Sequence, residues 1–255
     1  MTMRLRDPVT YGLSLAALVL FWAGLAWLRG DPRILPGPAE VALRIWAEAA
    51  SGALAGHVGA TLGRVAVAFG LAMALGSALG LALGRMPRLD ALADPWVTVF
   101  LNLPALVVIV LCYLWIGLNE VAAIAAVTLN KTAMVLVTVR EGARSLDPRL
   151  FEMAQIFRLS PVARLRHVVL PQLAPFLAAA ARNGIAVIWK IVLVVEFLGR
   201  SDEVGFMIHL RFQLFDIAGV LAHSLAFVAV MLAVEAALIR PAERRAGAWR
   251  RRAEV

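Results

Sequence analysis

Two lysines stand in apolar stretches of this sequence, where a positive charge is costly. Lys131 lies in AAVTLNKTAMVLV and Lys190 in IAVIWKIVLVVEFLG. An ionisable side chain at the centre of a bilayer costs about 2.5–3.5 kcal/mol on insertion scales, so each one calls for a partner or a function. Neither lysine is near enough to the end of its apolar run to reach the membrane surface comfortably. Ammonium groups on two neighbouring helices would attract small anions such as sulfonates, carboxylates or nitrate.

Other polar residues lie within or beside these apolar stretches. Together with the two lysines, we take four of them as candidate residues of a solute path: Asn102, Asn130, Asn183 and Glu196. A structural role is the alternative, and Glu196 and Glu235 are the carboxylates best placed to neutralise the lysines. Pro104 removes a helical hydrogen bond and predicts a kink, so the amide of Asn102 suits the freed backbone better than a solute. Asn183 suits interhelical hydrogen bonding and solute contact equally well.

A charged, amphipathic stretch, FEMAQIFRLSPVARLRHVVLPQLAP at 151–175, interrupts the apolar sequence. Asp147-Pro148 and Ser160-Pro161 each place a capping side chain before a proline at a first helical position, so they predict two short helices. Each helix would carry an apolar stripe, made of Leu150, Met153, Ala154 and Phe157 in the first and of Val162, Leu165 and Val169 in the second. Pro171 and Pro175 predict a turn after the second helix. The stripes need a covering surface, either the protein's own helix ends or a separate soluble partner.

The elements that would hold these residues are membrane-spanning helices. The 255-residue chain is 62% hydrophobic and 16% charged, whereas soluble domains are nearer half apolar and one quarter charged. About 20 apolar residues cross a bilayer as a helix, and six segments qualify: 9–28, 59–84, 96–118, 121–139, 174–195 and 216–239. We therefore predict an all-α integral membrane protein, with about six transmembrane helices in a single domain over residues 1–255. Basic residues outnumber acidic ones, 25 to 17, but they fall between the apolar runs, which indicates membrane topology and not nucleic-acid binding.

The distribution of arginines predicts the orientation of the chain. With the N-terminus inside, sixteen basic residues fall in cytoplasmic segments and six in outer ones, as the positive-inside rule requires. Both termini and the loop at 140–173 are then cytoplasmic. The first apolar run is longer than a signal-peptide core and has no cleavage site, so we expect it to remain as a span. Outside, AEVALRIWAEAA predicts a short surface helix. Gly76, Gly80 and Gly84 in the second span either let helices pack closely or reflect only the high frequency of glycine in membrane spans.

Several segments together resemble the permease subunits of bacterial ABC importers, in the branch of nitrate, sulfonate, taurine and bicarbonate systems. Glu152-Met153-Ala154, then Arg158, then Val169-Leu170-Pro171 is similar to the EAA loop of that family. LPGPAEV, TLGRVAVAFGLA, SLDPRL and VVEFLGRSDEVGF extend the resemblance over about residues 35–245. Two positions depart from the family pattern, since Met153 stands where alanine is common and Arg158 where glycine eases a turn with positive φ. Arg158 implies either an ordinary helical backbone or local strain.

The resemblance implies a type I ABC importer permease whose cytoplasmic loop is a coupling helix that docks into a groove on a separate ATPase subunit. The coupling residues that it implies are Glu152, Met153, Ala154, Phe157, Arg158, Leu159, Ser160 and Pro161. Two permease chains, expected to be identical, would enclose the path in the bacterial inner membrane, and a periplasmic binding protein would deliver the solute. The ATPase chains would bind ATP and Mg, so no cofactor is expected in this chain. Small anions suit the branch, while related branches carry thiamine precursors, riboflavin-like and aromatic compounds.

Two other classes of protein fit the residues less well. A secondary transporter would be self-sufficient, but this sequence is short and shows no inverted repeat. A membrane enzyme would need a nucleophile, an acid–base pair or a metal motif, and the sequence contains none of the common ones. Cys112 is the only cysteine and the four histidines lack ligand spacing, so no metal site is expected. The sequence also lacks G-x-x-x-x-G-K-[ST], so ATP would be bound by another chain.

Overall fold

The computed structural model describes residues 8–239 and residue 241. In chain order its helices are α1 Pro8–Arg29, α2 Pro38–Ala50, α3 Ala53–Arg85, α4 Pro87–Asn102, α5 Ala105–Ile116, α6 Glu120–Arg144, α7 Pro148–Ile156, α8 Pro161–Arg164, α9 Leu170–Gly199, α10 Val204–Gln213 and α11 Ile217–Val234. π-Helical turns join α8 to α9, at Leu165–Val169, and extend α11, at Glu235–Ile239. Five helical stretches of the described chain are long and apolar enough to cross a membrane, and the bent pair α4–α5 makes a sixth if it is counted as one span. The predicted all-α membrane fold is confirmed, while the arginines at 4, 6 and 240–252, which contribute to the predicted orientation, lie outside the described residues.

Helix α6 is the centre of the bundle. It packs along α3, α9 and α5, and it buries side chains on several sides, among them Val127, Val135 and Val139. A helix that is apolar on most of its surface is stable only when other helices surround it. The polar residues of α6, Asn130 and Lys131, therefore lie in the interior layer of the bundle and not on a peripheral helix.

Glycines let α3 and α6 approach each other closely. A Cβ atom at Gly80 would lie 2.6 Å from the carbonyl oxygen of Leu136, and one at Gly84 would lie 2.6 Å from the Cβ of Ala143. At Gly76 the nearest atom would be the Cβ of Val135, also at 2.6 Å. The close packing predicted from the spacing of these glycines is confirmed, and α6 is the partner helix.

The predicted third span is broken at Pro104. Helices α4 and α5 meet at an angle of 97°, with Leu103 in an extended conformation (φ −67°, ψ 123°). The residue before a proline is disfavoured in the helical region, and Pro104 has no N–H to continue the helical ladder. The kink expected here is thus a complete break. The tight turn that follows α5 is formed by Gly117, with φ of +97°, and by Asn119, whose side chain accepts a hydrogen bond from the N–H of Ala122.

The turn predicted at Pro171 and Pro175 is wrong, because the chain stays helical from Pro161 to Gly199. Pro171 cannot donate to the carbonyl four residues earlier, and its ring would crowd that carbonyl in a regular α-helix. The helix widens just before it, and the N–H of Leu170 bonds to the carbonyl of Leu165, five residues back. This π-helical turn accommodates the proline, so the second short helix of the loop is the first turn of a 39-residue helix.

Candidate functional site

The cytoplasmic loop predicted from the sequence contains two capped helices. We call residues 145–169 the coupling segment. The carboxylate of Asp147 accepts a hydrogen bond from the N–H of Arg149 (2.9 Å), and the hydroxyl of Ser160 accepts one from the N–H of Ala163 (3.2 Å). Both helix starts predicted from these cap residues are confirmed.

One face of the coupling segment is anchored on the bundle. Ala154 is buried, and Phe151 packs against the core formed at this end of α6 and α9. The guanidinium of Arg85, at the end of α3, lies 4.2 Å above the Phe151 ring. The side-chain amide of Gln172 in α9 accepts from the N–H of Asp147 and donates to the carbonyl of Val168, both at 2.9 Å. The segment is therefore joined to α3, α6 and α9.

The opposite face of the coupling segment is apolar, and no described part of the chain covers it. Ile156, Phe157 and Val162 are 79%, 72% and 75% exposed. The protein's own helix ends cover one face of the segment, as the first alternative predicts, and within residues 8–239 nothing covers the other face, so a separate partner remains the alternative for that face. An exposed apolar patch on a segment rich in charged residues is typical of a site for a protein partner.

The predicted stripes are rotated relative to the buried face. In and just after α7 the bundle covers Ala154 and partly Phe151, whereas Leu150, Met153 and Phe157 are exposed. In the second stripe Val169 is buried, Leu165 is 42% exposed and Val162 is outermost. Glu152 and Pro161 are also exposed, and Leu159 is half-buried. Most of the predicted coupling residues therefore lie on the surface available to a partner.

Arg158 adopts the left-handed conformation that its position in the loop requires. Its φ is +50°, and the N–H groups of Arg158 and Leu159 bond to the carbonyls of Gln155 and Ala154. This is the hydrogen-bond pattern of a Schellman motif, in which glycine is the usual residue at the left-handed position. Of the two alternatives drawn from the sequence, local strain is the one observed. The turn keeps the geometry typical of glycine although the residue is arginine.

The candidate path residues differ in how far their side chains are buried in the protein. Lys131 is buried in α6 and Asn130 is half-buried beside it. Asn183 and Lys190 are both exposed on α9, and because they are seven residues apart they share one side of that helix. The amino group of Lys190 lies 5.5 Å from the ring of Trp189. The amide of Asn102 donates to the carbonyl of Thr98 (2.8 Å), which favours the structural role for Asn102.

Glu196 belongs to a buried ionic network that we call the Arg64 cluster: Thr61, Arg64, Glu120, Glu196, Arg200 and Glu203. The guanidinium of Arg64 lies 2.5 Å from a carboxylate oxygen of each of the three glutamates. Glu196 is fully buried, and it also accepts from the hydroxyl of Thr61 and the N–H of Gly205, both at 3.0 Å. Among the described residues Glu196 therefore pairs with Arg64 and not with a lysine. Enclosed in this way, it is better placed to hold helices together than to contact a solute.

Glu203 connects the cluster to the loop between α9 and α10. Burial by itself would raise the pKa of Glu203, but hydrogen bonds from Arg64 and the Asp202 N–H, together with the positive charges of Arg64 and Arg200, lower that pKa below its ordinary value. The carboxylate is thus held in its charged form. Glu120 closes the network at the start of α6 and pairs with Arg200 at 3.0 Å.

A second ionic cluster lies at the other end of α6. Arg140 pairs with Asp90 (3.0 Å) and Asp94 (2.8 Å) of α4, and Arg144 pairs with Asp90 and with Glu141. Twenty residues of α-helix separate Glu120 from Arg140, which corresponds to about 30 Å. That distance matches the hydrocarbon thickness of a bilayer. The two clusters therefore mark the two ends of a membrane-spanning layer, and the coupling segment adjoins the second.

Sequence reasoning missed Arg64, Glu120 and Glu203 as a site. A signal is present in the sequence, because Arg64 falls within the range 59–84 of the predicted second span, but counting it with the outer basic residues hides its need for a partner. TLGRVAVAFGLA and VVEFLGRSDEVGF are far apart in sequence. In the structure, polar residues from both segments meet in the Arg64 cluster.

Comparison with known proteins agrees with this architecture. Residues 66–239 match the model of the family described as binding-protein-dependent transport system inner membrane component. The putative aliphatic sulfonates transport permease protein SsuC of Escherichia coli (strain K12) is 32% identical over 193 residues, covering 74% of this chain and 73% of that protein. The riboflavin transport system permease protein RibX of Chloroflexus aurantiacus is 34% identical, covering 89% and 86% of the two chains. The taurine transport system permease protein TauC of Escherichia coli (strain K12) is 26% identical, covering 92% and 88%.

These similarities extend over most of each chain, and the family match covers α4, α6, α9 and the coupling segment and begins two residues after Arg64. The resemblance stated from the sequence is confirmed. This chain is a multi-pass membrane protein that belongs to the family of binding-protein-dependent transport system inner membrane components, the permease subunits of ABC importers.

Proposed function

We propose that this chain is the transmembrane subunit of an ATP-driven importer in a bacterial inner membrane, with both termini in the cytoplasm. The observation that carries the proposal is the coupling segment, which is anchored on three helices by one face and presents Ile156, Phe157 and Val162 on the other. A cytoplasmic ATPase would cover the exposed face. A second copy of this chain would complete the path, and a periplasmic binding protein would deliver the solute.

The anchoring contacts suggest how movement would pass through the chain. A push on the exposed face of α7 reaches α9 through Gln172 and the core through Phe151 and Ala154. Helices α6 and α9 then extend to the Arg64 cluster, about 30 Å away along α6. Since packed helices joined by buried ion pairs move together more readily than they bend, displacement at the cytoplasmic end would tilt the outer end. ATP and Mg would be bound only by the ATPase chains, and the permease would be non-catalytic.

The proposed solute is a small anion such as a sulfonate, taurine or nitrate. Lys190 and Asn183 place polar groups on one exposed side of α9, and Lys131 places a second ammonium group in the interior layer. Exposed polar residues on a membrane helix are unfavourable against lipid, so they suit a water-filled path. The names of the SsuC and TauC relatives agree with an anionic solute.

A neutral aromatic solute is the second candidate, because the RibX relative is named as a riboflavin permease and shares 34% identity. A thermal-shift screen of the cognate binding protein separates the two candidates. Stabilisation by sulfonates, taurine or nitrate supports the anion, whereas stabilisation by flavins or thiamine precursors supports the neutral aromatic class.

Replacement of both lysines, Lys131→Met and Lys190→Met, tests the path. We expect uptake of the anionic solute into proteoliposomes to fall at least about tenfold, since an interaction of about 1.4 kcal/mol lost from the path corresponds to that factor. The variant should still elute as the intact complex on size exclusion. Undiminished uptake by the double variant would contradict the path role.

Co-purification tests the importer assignment itself. The chain extracted in mild detergent should retain a soluble ATPase, and Phe157→Asp should release that ATPase, because a carboxylate replaces an apolar contact. Leu43→Asp, at an exposed residue of α2, is the matched control and should retain it. A preparation in which wild type carries no ATPase would favour a self-sufficient transporter.

A further inference from the structure

An open cavity of about 350 Å³ lies between the cytoplasmic end of α3 and the coupling segment. Two arginines, Arg85 and Arg164, contribute to its lining, together with apolar side chains such as Leu81, Leu146 and Leu165. Among the residues that the structure describes, no aspartate or glutamate lines the cavity. Within residues 8–239 no ion pair joins Arg85 or Arg164 to a carboxylate. Two guanidinium groups thus share one cavity, and no carboxylate of the described residues balances their charge.

Both guanidinium groups are suited to bind an anion. Arg85 stacks its face on Phe151, an arrangement that leaves the N–H groups at the edge of the guanidinium available. Arg164 is half-buried, so part of its hydration is already lost and an anionic partner would replace it. Guanidinium groups bind phosphate through paired N–H donors. The apolar remainder of the lining suits a ligand that has hydrocarbon beside its charged group.

We propose that the cavity binds the phosphate of an anionic phospholipid from the cytoplasmic leaflet. This inference rests on the proposed orientation, in which Arg85, the last residue of α3, lies at the cytoplasmic surface of the membrane. Leu81 is one helical turn closer to the bilayer centre, so an acyl chain could run along it while the headgroup meets Arg85 and Arg164. Basic pockets between membrane helices on the cytoplasmic side are typical sites for anionic headgroups. Because Phe151 and Pro161 of the coupling segment also line the cavity, the bound lipid would brace that segment against α3.

Lipid titration of the purified full-length chain tests this site without any ATPase or transported solute, so its result is independent of the proposed import function. The thermal unfolding midpoint is measured in detergent with increasing phosphatidylglycerol, with phosphatidylcholine, and with inorganic phosphate alone. We expect selective stabilisation by phosphatidylglycerol. In the variant Arg85→Gln/Arg164→Gln we expect its apparent affinity to fall about 30-fold, since each basic residue contributes about 1 kcal/mol toward an anionic lipid surface.

Two further variants make the result interpretable. Arg149→Gln/Arg166→Gln removes the same charge from exposed arginines of the coupling segment that do not line the cavity, and it should keep the phosphatidylglycerol affinity within about threefold. Arg85→Lys keeps the charge and should retain selectivity, which separates loss of binding from loss of folding. Equal weakening in both double variants would overturn the site, as would stabilisation by phosphatidylcholine to the same extent. Full stabilisation by inorganic phosphate alone would replace the lipid with a soluble anion and overturn the proposal.

Discussion

Arg64 and Glu196 form an ion pair, 2.5 Å between Nη1 and Oε1, in which the two side chains are 2% and 0% exposed. A charge removed from water to this degree is tolerated only when hydrogen bonds and opposite charges surround it. Thr61 and the N–H of Gly205 supply those bonds to Glu196. The pair therefore fixes α3 to α9 at the end of the bundle opposite the coupling segment.

Removal of the guanidinium should destabilise the whole bundle. Arg64→Met leaves three neighbouring carboxylates without their shared cation, and breaking a buried pair from one side costs about 3–5 kcal/mol. We expect a large fall in the thermal midpoint of the detergent-purified protein. Arg44→Met is the control, since Arg44 pairs with Asp216 while 42% exposed, and exposed pairs are worth about 1 kcal/mol or less. Equal losses in the two variants would refute a special role for the Arg64 cluster.

The lowered pKa of Glu203 predicts an acid-sensitive contribution to stability. A carboxyl group whose pKa is lower in the folded state stabilises the protein above its unfolded pKa, about 4.3, and loses that contribution as the pH falls through the folded value. The stability difference between wild type and Glu203→Gln should be constant from pH 7 to about pH 5 and should shrink below about pH 4.3. Thermal unfolding across this range measures it. A stability difference that stays constant or grows in acid would show that folding does not lower the pKa of Glu203.

The contact between α3 and α6 should not tolerate one added methyl group. Gly80→Ala would place its Cβ 2.6 Å from the backbone oxygen of Leu136, and overpacking of this kind costs about 1–3 kcal/mol. Gly70→Ala, in the same helix, meets no atom within 4 Å and should be neutral or stabilising, because alanine favours helix more than glycine does. Thermal midpoints of the two variants should separate in that order. The opposite order would mean that the two helices can move apart at no cost.

The left-handed turn in the coupling segment predicts a stabilising substitution. Arg158→Gly should remove the cost of positive φ at a residue with a Cβ, about 1 kcal/mol. Arg149→Gly, which removes the same side chain from the helical part of α7, should instead destabilise by up to about 1 kcal/mol. Proteolysis of the coupling segment under native conditions reports the local effect. Faster cleavage of Arg158→Gly than of wild type would contradict the predicted relief of strain.

Features that depend on a few neighbouring residues could be predicted from the sequence. Asp147 and Ser160 capped the predicted helices, and the glycines of α3 lie at the predicted helix contact, because caps and close approaches depend on few neighbours. The effect of Pro171 was not predictable in the same way. Proline disfavours a regular α-helix but does not always end one, since Pro175 lies inside α9. Packing decides between a turn and a continuous helix, and Gln172, bonded to the N–H of Asp147, and Phe176, packed beside Gly142, join this part of α9 to neighbouring elements.

The Arg64 cluster could not be predicted from the sequence for a different reason. Arg64, Glu120 and Glu203 come from three separated parts of the chain, and no spacing in one helix reveals that they meet. Their charges indicated that partners were needed, but the choice among several acidic residues depends on tertiary packing. For the same reason the sequence offers Glu196 as a partner of the lysines, whereas its partner in the structure is Arg64, which is 132 residues away in sequence.

The central claim, that a cytoplasmic ATPase covers the exposed face of the coupling segment, is tested most directly by site-specific photocrosslinking in intact cells. A photoreactive amino acid is placed at Phe157, which is 72% exposed, or at Phe215, which is 86% exposed near the opposite end of the bundle. We expect an adduct between this chain and an ATPase subunit from position 157 and none from position 215. No ATPase adduct from position 157, in cells where both chains are made and the label is incorporated, would contradict the account.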